Sequence, residues 1–199
     1  MEVKVIEKGE QLEQLTPFHV DNLLWGTEKS PKTYGYIGFV EGDGFYLKMI
    51  CEENNPLRNY TKDRDPVCND SAMEAFFLIP TENEKQIYVN FEVNANGAML
   101  AQYGEGRANR EFLDDSMYEA IPRCARIEED FWTVELKISL ELLEKIYGPV
   151  HLEKGSVFYC NFYKISETKE IEHYAAYHPV GTETPDFHRP DYFEEAIII

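Results

Sequence analysis

The stretch Tyr88-Val-Asn-Phe-Glu-Val-Asn-Ala-Asn-Gly97 alternates apolar and polar side chains and indicates a β-strand. Successive side chains of a strand point to opposite faces of its sheet, so one face is predicted to meet the core. That apolar row comprises Ile87, Val89, Phe91 and Val93. The opposite row comprises Tyr88, Asn90, Glu92 and Asn94. Two interpretations of this polar row stay open: an ordinary outer strand face with cross-strand partners, or a ligand-binding face.

The chemistry of the polar row suits a neutral polyhydroxylated ligand. A carboxamide donates and accepts hydrogen bonds and a carboxylate accepts them, so both groups can bind the hydroxyls of a diol. An aromatic ring can cover the apolar C–H face of a sugar. Tyr103-Gly-Glu-Gly-Arg107 follows closely and adds a second aromatic residue and a guanidinium group.

The remaining chain is predicted to consist mainly of strands separated by turns. The predicted strands are 34–40, 44–52, 71–79, 86–94, 98–103, 123–128, 131–138, 156–165, 171–177 and 194–199. Asn96-Gly97 is a strong hairpin signal, because both residues tolerate positive φ. A short helix is predicted at 139–147, where Ser139 is a suitable N-cap and Gly148-Pro149 ends the apolar stripe, and a further helical turn is possible near 8–15. We therefore expect an all-β protein, an antiparallel β-sandwich (immunoglobulin/jelly-roll-like) formed by one domain over 1–199.

Charge and cysteine content restrict the partners and the compartment. The chain has 37 acidic and 19 basic residues, a net charge of −18, which argues against nucleic-acid and anionic-membrane partners. The first residues lack the apolar segment of a signal peptide, and no apolar run approaches the length of a membrane span. The cysteines are widely spaced, and Cys51 and Cys160 fall on apolar strand positions. Reduced thiols and a cytoplasmic protein are expected, although a trimmed extracellular chain would look the same. The oligomeric state stays open.

Four segments together match the pattern of one known protein family. The first is Pro66-Val-Cys-Asn-Asp-Ser-Ala-Met-Glu-Ala-Phe-Phe-Leu78, similar to the Asp-Ser-x-x-Glu-x-Phe strand of that family. The strands 88–97 and 131–138 follow in the order seen in the family. The last segment, Pro185-Asp-Phe-His-Arg-Pro-Asp-Tyr-Phe-Glu-Glu-Ala-Ile197, resembles its closing aromatic-x-x-Pro-x-x-Phe pattern. The chain therefore resembles carbohydrate-binding module family 9.

The resemblance implies a β-sandwich that holds a sugar ring between two aromatic side chains, without catalysis. Phe187 matches the second aromatic position of this clamp, and Glu74 matches the strand carboxylate that meets sugar hydroxyls. Asn90 falls where relatives use a polar side chain. The first clamp position is Cys68 here, where sugar-binding relatives have Trp, so another ring would have to substitute. The candidates are Tyr60, Tyr103 and Tyr177.

We therefore predict a carbohydrate-binding protein for a mono- or oligosaccharide of plant or microbial origin, with no catalytic residue. An accessory role beside a glycoside hydrolase stays open. The expected ligand-binding residues are Phe187, Glu74, Asn90, Glu92, Tyr103, Arg107, Tyr177, His178 and His188. The polar phase of 156–165 could extend this surface through Tyr159, Asn161 and Tyr163. Trp132 is expected in the core, and Trp25 is favoured as a core residue over a ligand platform.

Other interpretations of the sequence are weaker. Glu74 and Glu92 could serve as a glycosidase carboxylate pair, but no nucleophile or base motif accompanies them. No metal site is predicted, although calcium could bind Asp63, Asp65, Asn69 and Asp70 in one loop. His173 and His178 fit no zinc spacing. A haem-binding sandwich of the wider superfamily would need an axial ligand from Met49, Met73, Met99 or Met117.

Overall fold

A computed structural model describes residues 1–81 and 86–199 of the chain. The strands are β1 (Glu2–Val5), β2 (Phe18–His19), β3 (Asn22–Leu23), β4 (Lys32–Val40), β5 (Gly44–Glu52), β6 (Ala72–Leu78), β7 (Tyr88–Asn94), β8 (Met99–Gly104), β9 (Arg110–Phe112), β10 (Arg123–Ile127), β11 (Trp132–Ser139), β12 (Val157–Ser166), β13 (His173–Ala176) and β14 (Glu194–Ile198). The α-helices are α1 (Asp115–Glu119) and α2 (Leu140–Tyr147). Short 3-10 helices occupy Gly9–Gln14, Val67–Asn69, Arg107–Asn109 and Pro190–Tyr192.

The strands form one curled sheet that is mixed rather than antiparallel. Its order is β10-β11-β5-β4-β1-β14-β12-β6-β7-β8-β9, with β2, β3 and β13 attached beside this path. The strand β1 pairs in parallel with both β4 and β14 and so joins two antiparallel halves. The mostly β prediction is confirmed, whereas the antiparallel sandwich is not. Four residues of alternation at 2–5 are too short to signal a strand, and their pairing depends on residues distant in sequence.

A large apolar core lies between the two halves of the sheet. It includes Phe39, Phe45 and Trp132 from one half and Phe77 and Phe158 from the other. The predicted core row of β7 and the core position of Trp132 are therefore confirmed. Cys51 and Cys160 are buried free thiols, as expected.

The predicted helix α2 packs against this core and has the expected ends. Ser139 Oγ accepts a hydrogen bond from the Leu142 amide at 3.2 Å, which caps the first turn. Leu142, Leu143 and Ile146 are buried, and Gly148 follows with a φ of 81°. The second helix, α1, was not predicted. It has five residues, too few for a periodic pattern, and is capped by Asp114.

The outer face of β6, β7 and β12 is covered by a second apolar cluster. Residues from the segment 173–193 lie over it, among them Phe187 and Phe193. The polar row of β7 is consequently buried, with Asn90 and Asn94 fully inaccessible. Asn94 is structural, because its amide donates to Asp70 Oδ2 at 2.8 Å and its Oδ1 accepts from the Asn96 and Ala98 amides of the predicted hairpin turn.

A buried polar network connects the two halves away from this cover. The ammonium of Lys164, fully buried on β12, donates to Ser71 Oγ at 2.7 Å and lies 2.8 Å from His173 Nε2. It also lies 3.9 Å from Glu53 Oε2, which accepts from the indole of Trp132 on β11 at 3.0 Å and from Ser71. Burial lowers the pKa of Lys164, while the Glu53 carboxylate acts in the opposite direction. The network thus fixes the end of β5, the start of β6, and strands β11, β12 and β13 at one point.

Candidate functional site

A cavity of about 120 Å³ lies on the covered face of the β6–β7–β8 half-sheet. Its floor comes from these strands, and its walls come from the loop at Trp25 and from residues 165–188. The lining residues are Trp25, Cys68, Glu74, Glu92, Leu100, Gln102, Arg107, Arg110, Ile165, Glu167, Tyr174, Pro185, Asp186, Phe187 and His188. The cavity therefore brings together five of the predicted site residues: Glu74, Glu92, Arg107, Phe187 and His188.

Two neighbouring carboxyl groups form the floor of the cavity. Glu74 and Glu92 are directly opposite each other in the β6–β7 ladder, so their side chains leave the sheet on the same face. Their exposed fractions are only 3% and 4%. Burial raises the pKa of Glu74 well above its usual range, and the charges of Glu92 and Glu167 raise it further. Burial raises the pKa of Glu92 to about 7, against the lowering effect of Arg110. At least one of these carboxyls is thus poised to hold a proton near neutral pH.

Two arginines approach the floor from the β8–β9 edge. Arg110 donates to Asn90 Oδ1 at 3.4 Å, and Asn90 in turn donates to Glu92 Oε1 at 3.1 Å. Asn90 does not line the cavity itself, but its hydrogen bonds position Arg110 and Glu92, which do. Arg107, a predicted site residue, pairs with Asp186 at 3.2 Å across the cavity entrance.

The aromatic wall of the cavity is formed by Trp25 and Phe187. Phe187 is 4% exposed, and its ring stacks on Tyr163 with centroids 4.0 Å apart. Trp25 is half-buried, and its indole donates to the Thr182 carbonyl at 2.8 Å. The Trp25 and Phe187 centroids are 5.1 Å apart. A sugar ring held between two aromatic faces needs a separation of about 7–8 Å, since each face contacts carbon at about 3.5–4.0 Å. These two rings consequently form one wall rather than a clamp.

Cys68, which occupies the position of the first clamp aromatic, lines the same cavity. Cys68 Sγ, half-buried at the rim, donates to Glu167 Oε2 at 3.5 Å. The residues considered as substitutes, Tyr60, Tyr103 and Tyr177, do not line the cavity. Two other aromatic residues, Trp25 and Tyr174, do. Trp25 is therefore the aromatic residue that sequence reasoning assigned to the core and that the structure places at the site.

His188 is held by a neighbouring phenol. Its Nδ1 lies 3.0 Å from Tyr88 Oη, and its ring packs on Phe76 with centroids 5.0 Å apart. Burial, reinforced by the positive charges of Arg110 and Arg107, lowers the pKa of His188 to about 2. The imidazole is therefore neutral at physiological pH. It lines the cavity as an uncharged group that can form hydrogen bonds.

Three predicted site residues lie elsewhere. Tyr103 points to the opposite face of β8 and packs on the main core. Tyr177 packs against Phe18 and Phe162, with centroids 5.7 Å and 6.0 Å apart. His178 pairs with Glu194 at 3.2 Å, beyond the cavity. The possible extension is not formed either: Asn161 bonds backbone groups at His178.

Several lining residues were missed at the level of sequence. Gln102 and Leu100 are opposite Asn90 and Glu92 in the β7–β8 ladder and share their face. The hairpin register set by Asn96-Gly97 could have placed them. Arg110 and Glu167 lie in segments without a strand pattern, so no comparable signal existed for them.

The calcium hypothesis finds no support in the loop that suggested it. Among the described residues, no group of three or more His, Cys, Asp or Glu side chains is arranged to hold a metal ion. Asp63 pairs with Arg123 at 2.6 Å, and both oxygens of Asp70 accept backbone amides, those of Asn59 and Tyr60. These carboxylates already have protein partners.

The residues offered for the remaining alternatives are also accounted for. The methionines considered as haem ligands, Met49, Met73, Met99 and Met117, are all packed in the main core. In the part of the chain that the structure describes, no helix is long and apolar enough to span a membrane.

Solved structures share this fold over the whole chain. A proposed carbohydrate-binding protein from Bacteroides uniformis superposes with a TM-score of 0.85 at 21% identity, covering 100% of this chain and 98% of the other. A carbohydrate-binding module of family 9 from Caldicellulosiruptor kristjanssonii in complex with glucose gives a TM-score of 0.66 at 11% identity, covering 100% and 96%. Its complex with cellotriose gives 0.66 at 10% identity, covering 100% and 93%.

Sequence comparison identifies the family directly. A search of curated protein sequences finds no match to this chain. The family model of carbohydrate-binding family 9, in contrast, matches residues 7–198, nearly the whole sequence. Together with the shared fold, this match extends the resemblance of the individual strands to the complete chain. The chain belongs to carbohydrate-binding family 9.

Proposed function

We propose that this protein binds a small carbohydrate, without catalysis, in the cavity between Trp25 and the Glu74–Glu92 pair. Membership of the family supports this function, as do the glucose and cellotriose complexes of the Caldicellulosiruptor kristjanssonii module. The observation that carries the proposal is the combination in one cavity of a half-buried indole and buried groups that bind hydroxyls.

The cavity has the two-sided chemistry that a sugar requires. Trp25 and Tyr174 supply apolar ring surface for the C–H face of a pyranose. Glu92, Gln102 and Arg107 present acceptors and donors for its hydroxyls. Because the hydroxyls leave water on binding, each needs such a partner.

The size of the cavity favours one sugar unit. Its volume of about 120 Å³ is well below the roughly 300–1,000 Å³ typical of pockets for drug-sized ligands. We therefore propose that a monosaccharide, or the terminal unit of a longer chain, enters the cavity while any further units remain in solvent.

The carboxyl geometry favours binding over hydrolysis. Glycosidases place two carboxyl groups on either side of the scissile bond, with water or a covalent intermediate between them. Glu74 and Glu92 instead project from adjacent strands on the same face of the sheet. Both carboxyl groups would contact the same side of a ligand. This pair therefore lacks the carboxyl group that a glycosidase places on the opposite side of the scissile bond.

Isothermal titration calorimetry with glucose, galactose, cellobiose and cellotriose tests the proposal. We expect a Kd between about 1 µM and 1 mM for at least one sugar, equivalent to about −8 to −4 kcal/mol. Trp25→Ala should weaken that binding at least tenfold. Tyr34→Ala is the matched control, because this half-buried tyrosine lies on β4 in the other half and does not line the cavity.

Two results would refute the proposal. The first is the absence of both heat and thermal stabilisation with every sugar, since a ligand of the native state must stabilise it. The second is binding that survives Trp25→Ala and is lost in Tyr34→Ala, which would move the site to the other half of the sheet.

A further inference from the structure

The acidic groups that line the cavity outnumber the basic ones. Asp186 and Arg107 form an ion pair at 3.2 Å at the entrance and compensate each other. The remaining charged residues of the lining are Glu74, Glu92, Glu167 and Arg110. Three carboxyl groups thus face one guanidinium group, which itself donates to Asn90 Oδ1.

Glu74 is the exceptional member of this set. It is 3% exposed and lines the cavity, and within residues 1–81 and 86–199 no protein donor reaches its carboxyl. Its oxygens open onto the cavity, since no fully enclosed side-chain polar atom of the described residues is without a partner. A buried carboxylate without a partner costs several kcal/mol, so natural structures pair or protonate such groups. Glu92 differs, because Asn90 donates to it. The carboxyl that lacks a protein partner is therefore the one directed into the cavity.

A ligand can supply the missing partner in two ways. A neutral hydroxyl donates one hydrogen bond and does not favour ionisation of the carboxyl. An ammonium group donates three hydrogen bonds and adds the opposite charge. It can therefore bind Glu74 together with Glu92 or Glu167, and charge-assisted bonds of this kind are roughly twice as strong as neutral ones.

We propose that the cavity prefers a sugar that carries a protonated amine over the neutral sugar of the same shape. This inference rests on the proposed carbohydrate binding and specifies its substrate class. The amine sits over Glu74 on the side of Glu167, away from Arg107 and Arg110. The acidic protein, with its net charge of −18, adds a long-range field of the same sign that attracts such a cation.

The experiment compares each of three amino sugars with its parent sugar by calorimetry. Glucosamine, galactosamine and mannosamine are titrated beside glucose, galactose and mannose, with N-acetylglucosamine as an uncharged amide. An amine beside electron-withdrawing groups titrates like an α-amino group, near pH 7.7–8.0, and burial raises the pKa of Glu92 to about 7, so at about pH 7.4 most of the amine and most of Glu92 are charged. We expect at least one amino sugar to bind at least tenfold more tightly than its parent, and N-acetylglucosamine to lose that gain.

Variants locate the preference. Glu74→Gln keeps the shape of the side chain but cannot ionise beside an ammonium group, so the ratio of the two affinities should fall towards one. Glu170→Gln is the matched control, because this exposed carboxylate does not line the cavity, and the ratio should remain unchanged. Circular dichroism and the melting temperature verify that both variants fold, and Glu92→Gln gives a second test if Glu74→Gln does not.

The outcomes separate this inference from the proposed function. If neutral sugars bind and no amino sugar binds more tightly than its parent, the amine preference is wrong and the carbohydrate site stands. An amine preference that persists in both Glu74→Gln and Glu92→Gln also overturns the assignment. If no sugar of either kind binds, the proposed function fails, and this inference fails with it.

Discussion

Replacement of Glu92 by Gln should make the protein more stable above neutral pH. Glu92 is 4% exposed, and burial raises its pKa from 4.5 to about 7. A carboxyl with a raised pKa binds its proton more tightly in the folded state than in the unfolded chain. Its contribution to stability is therefore complete below about pH 4.5 and is lost as the pH rises through about 7.

The size of the effect follows from that pKa. Each pKa unit is worth about 1.4 kcal/mol, so ionised Glu92 lowers the free energy of unfolding by about 3 kcal/mol at pH 8. Glutamine has nearly the same shape and stays neutral, and its amide oxygen can still accept from Asn90, which donates to Glu92 at 3.1 Å. Glu92→Gln should thus gain about 3 kcal/mol at pH 8 and change little near pH 5, where the native carboxyl is protonated.

Urea unfolding of both proteins at pH 5, 6, 7 and 8 measures this difference. The native protein should lose stability between pH 5 and pH 8 more steeply than the variant, and Glu170→Gln, at an exposed position, should follow the native curve. A variant that is less stable than the native protein at pH 8, or equally dependent on pH, would show that Glu92 is ionised and stabilised in the fold. The same variant should bind sugar less tightly. A residue that lowers stability at a binding site is commonly retained because binding requires it.

Three further predictions concern stability and are tested by the same unfolding assay. Lys164→Met should lower the free energy of unfolding by about 3 kcal/mol, because it leaves the partly buried Glu53 carboxylate without its cation. The double variant with Glu53→Gln should regain part of that loss. Asp70→Ala should cost about 3 kcal/mol or more, because three donors lose their acceptor; a loss below 1 kcal/mol would contradict this. Ser139→Ala should cost about 1 kcal/mol through loss of the α2 cap, and an unchanged midpoint would show that the cap is dispensable.

The strands were predictable because alternation and turn chemistry are local properties. The ten predicted segments are all strands, and α2 begins and ends at its predicted signals. The short strands β1, β2, β3 and β9 were missed because two to four residues carry no measurable period. The parallel pairing of β1 is a long-range contact that local sequence does not encode.

The site was predicted in part for the same reason. Glu74 and Glu92 were recognised from strand patterns, and a strand fixes which face a side chain occupies. Whether that face meets water is decided by the segment that covers it, and the covering residues 173–193 have little periodicity. Trp25 was assigned to the core for this reason, since its loop gave no indication that it reaches Phe187.

The covering of β6 and β7 by a later part of the chain has a consequence for biosynthesis. The floor residues Glu74 and Glu92 leave the ribosome well before Phe187 and His188, which follow almost a hundred residues after Glu92. Until then, the nascent chain exposes an apolar sheet face and two carboxyls that remain hydrated and ionised. Ligand cannot assist the early stages of folding, because the cavity does not exist before its last wall is made. The protein must therefore complete its fold without help from the ligand, and the carboxyls are dehydrated only in that final step.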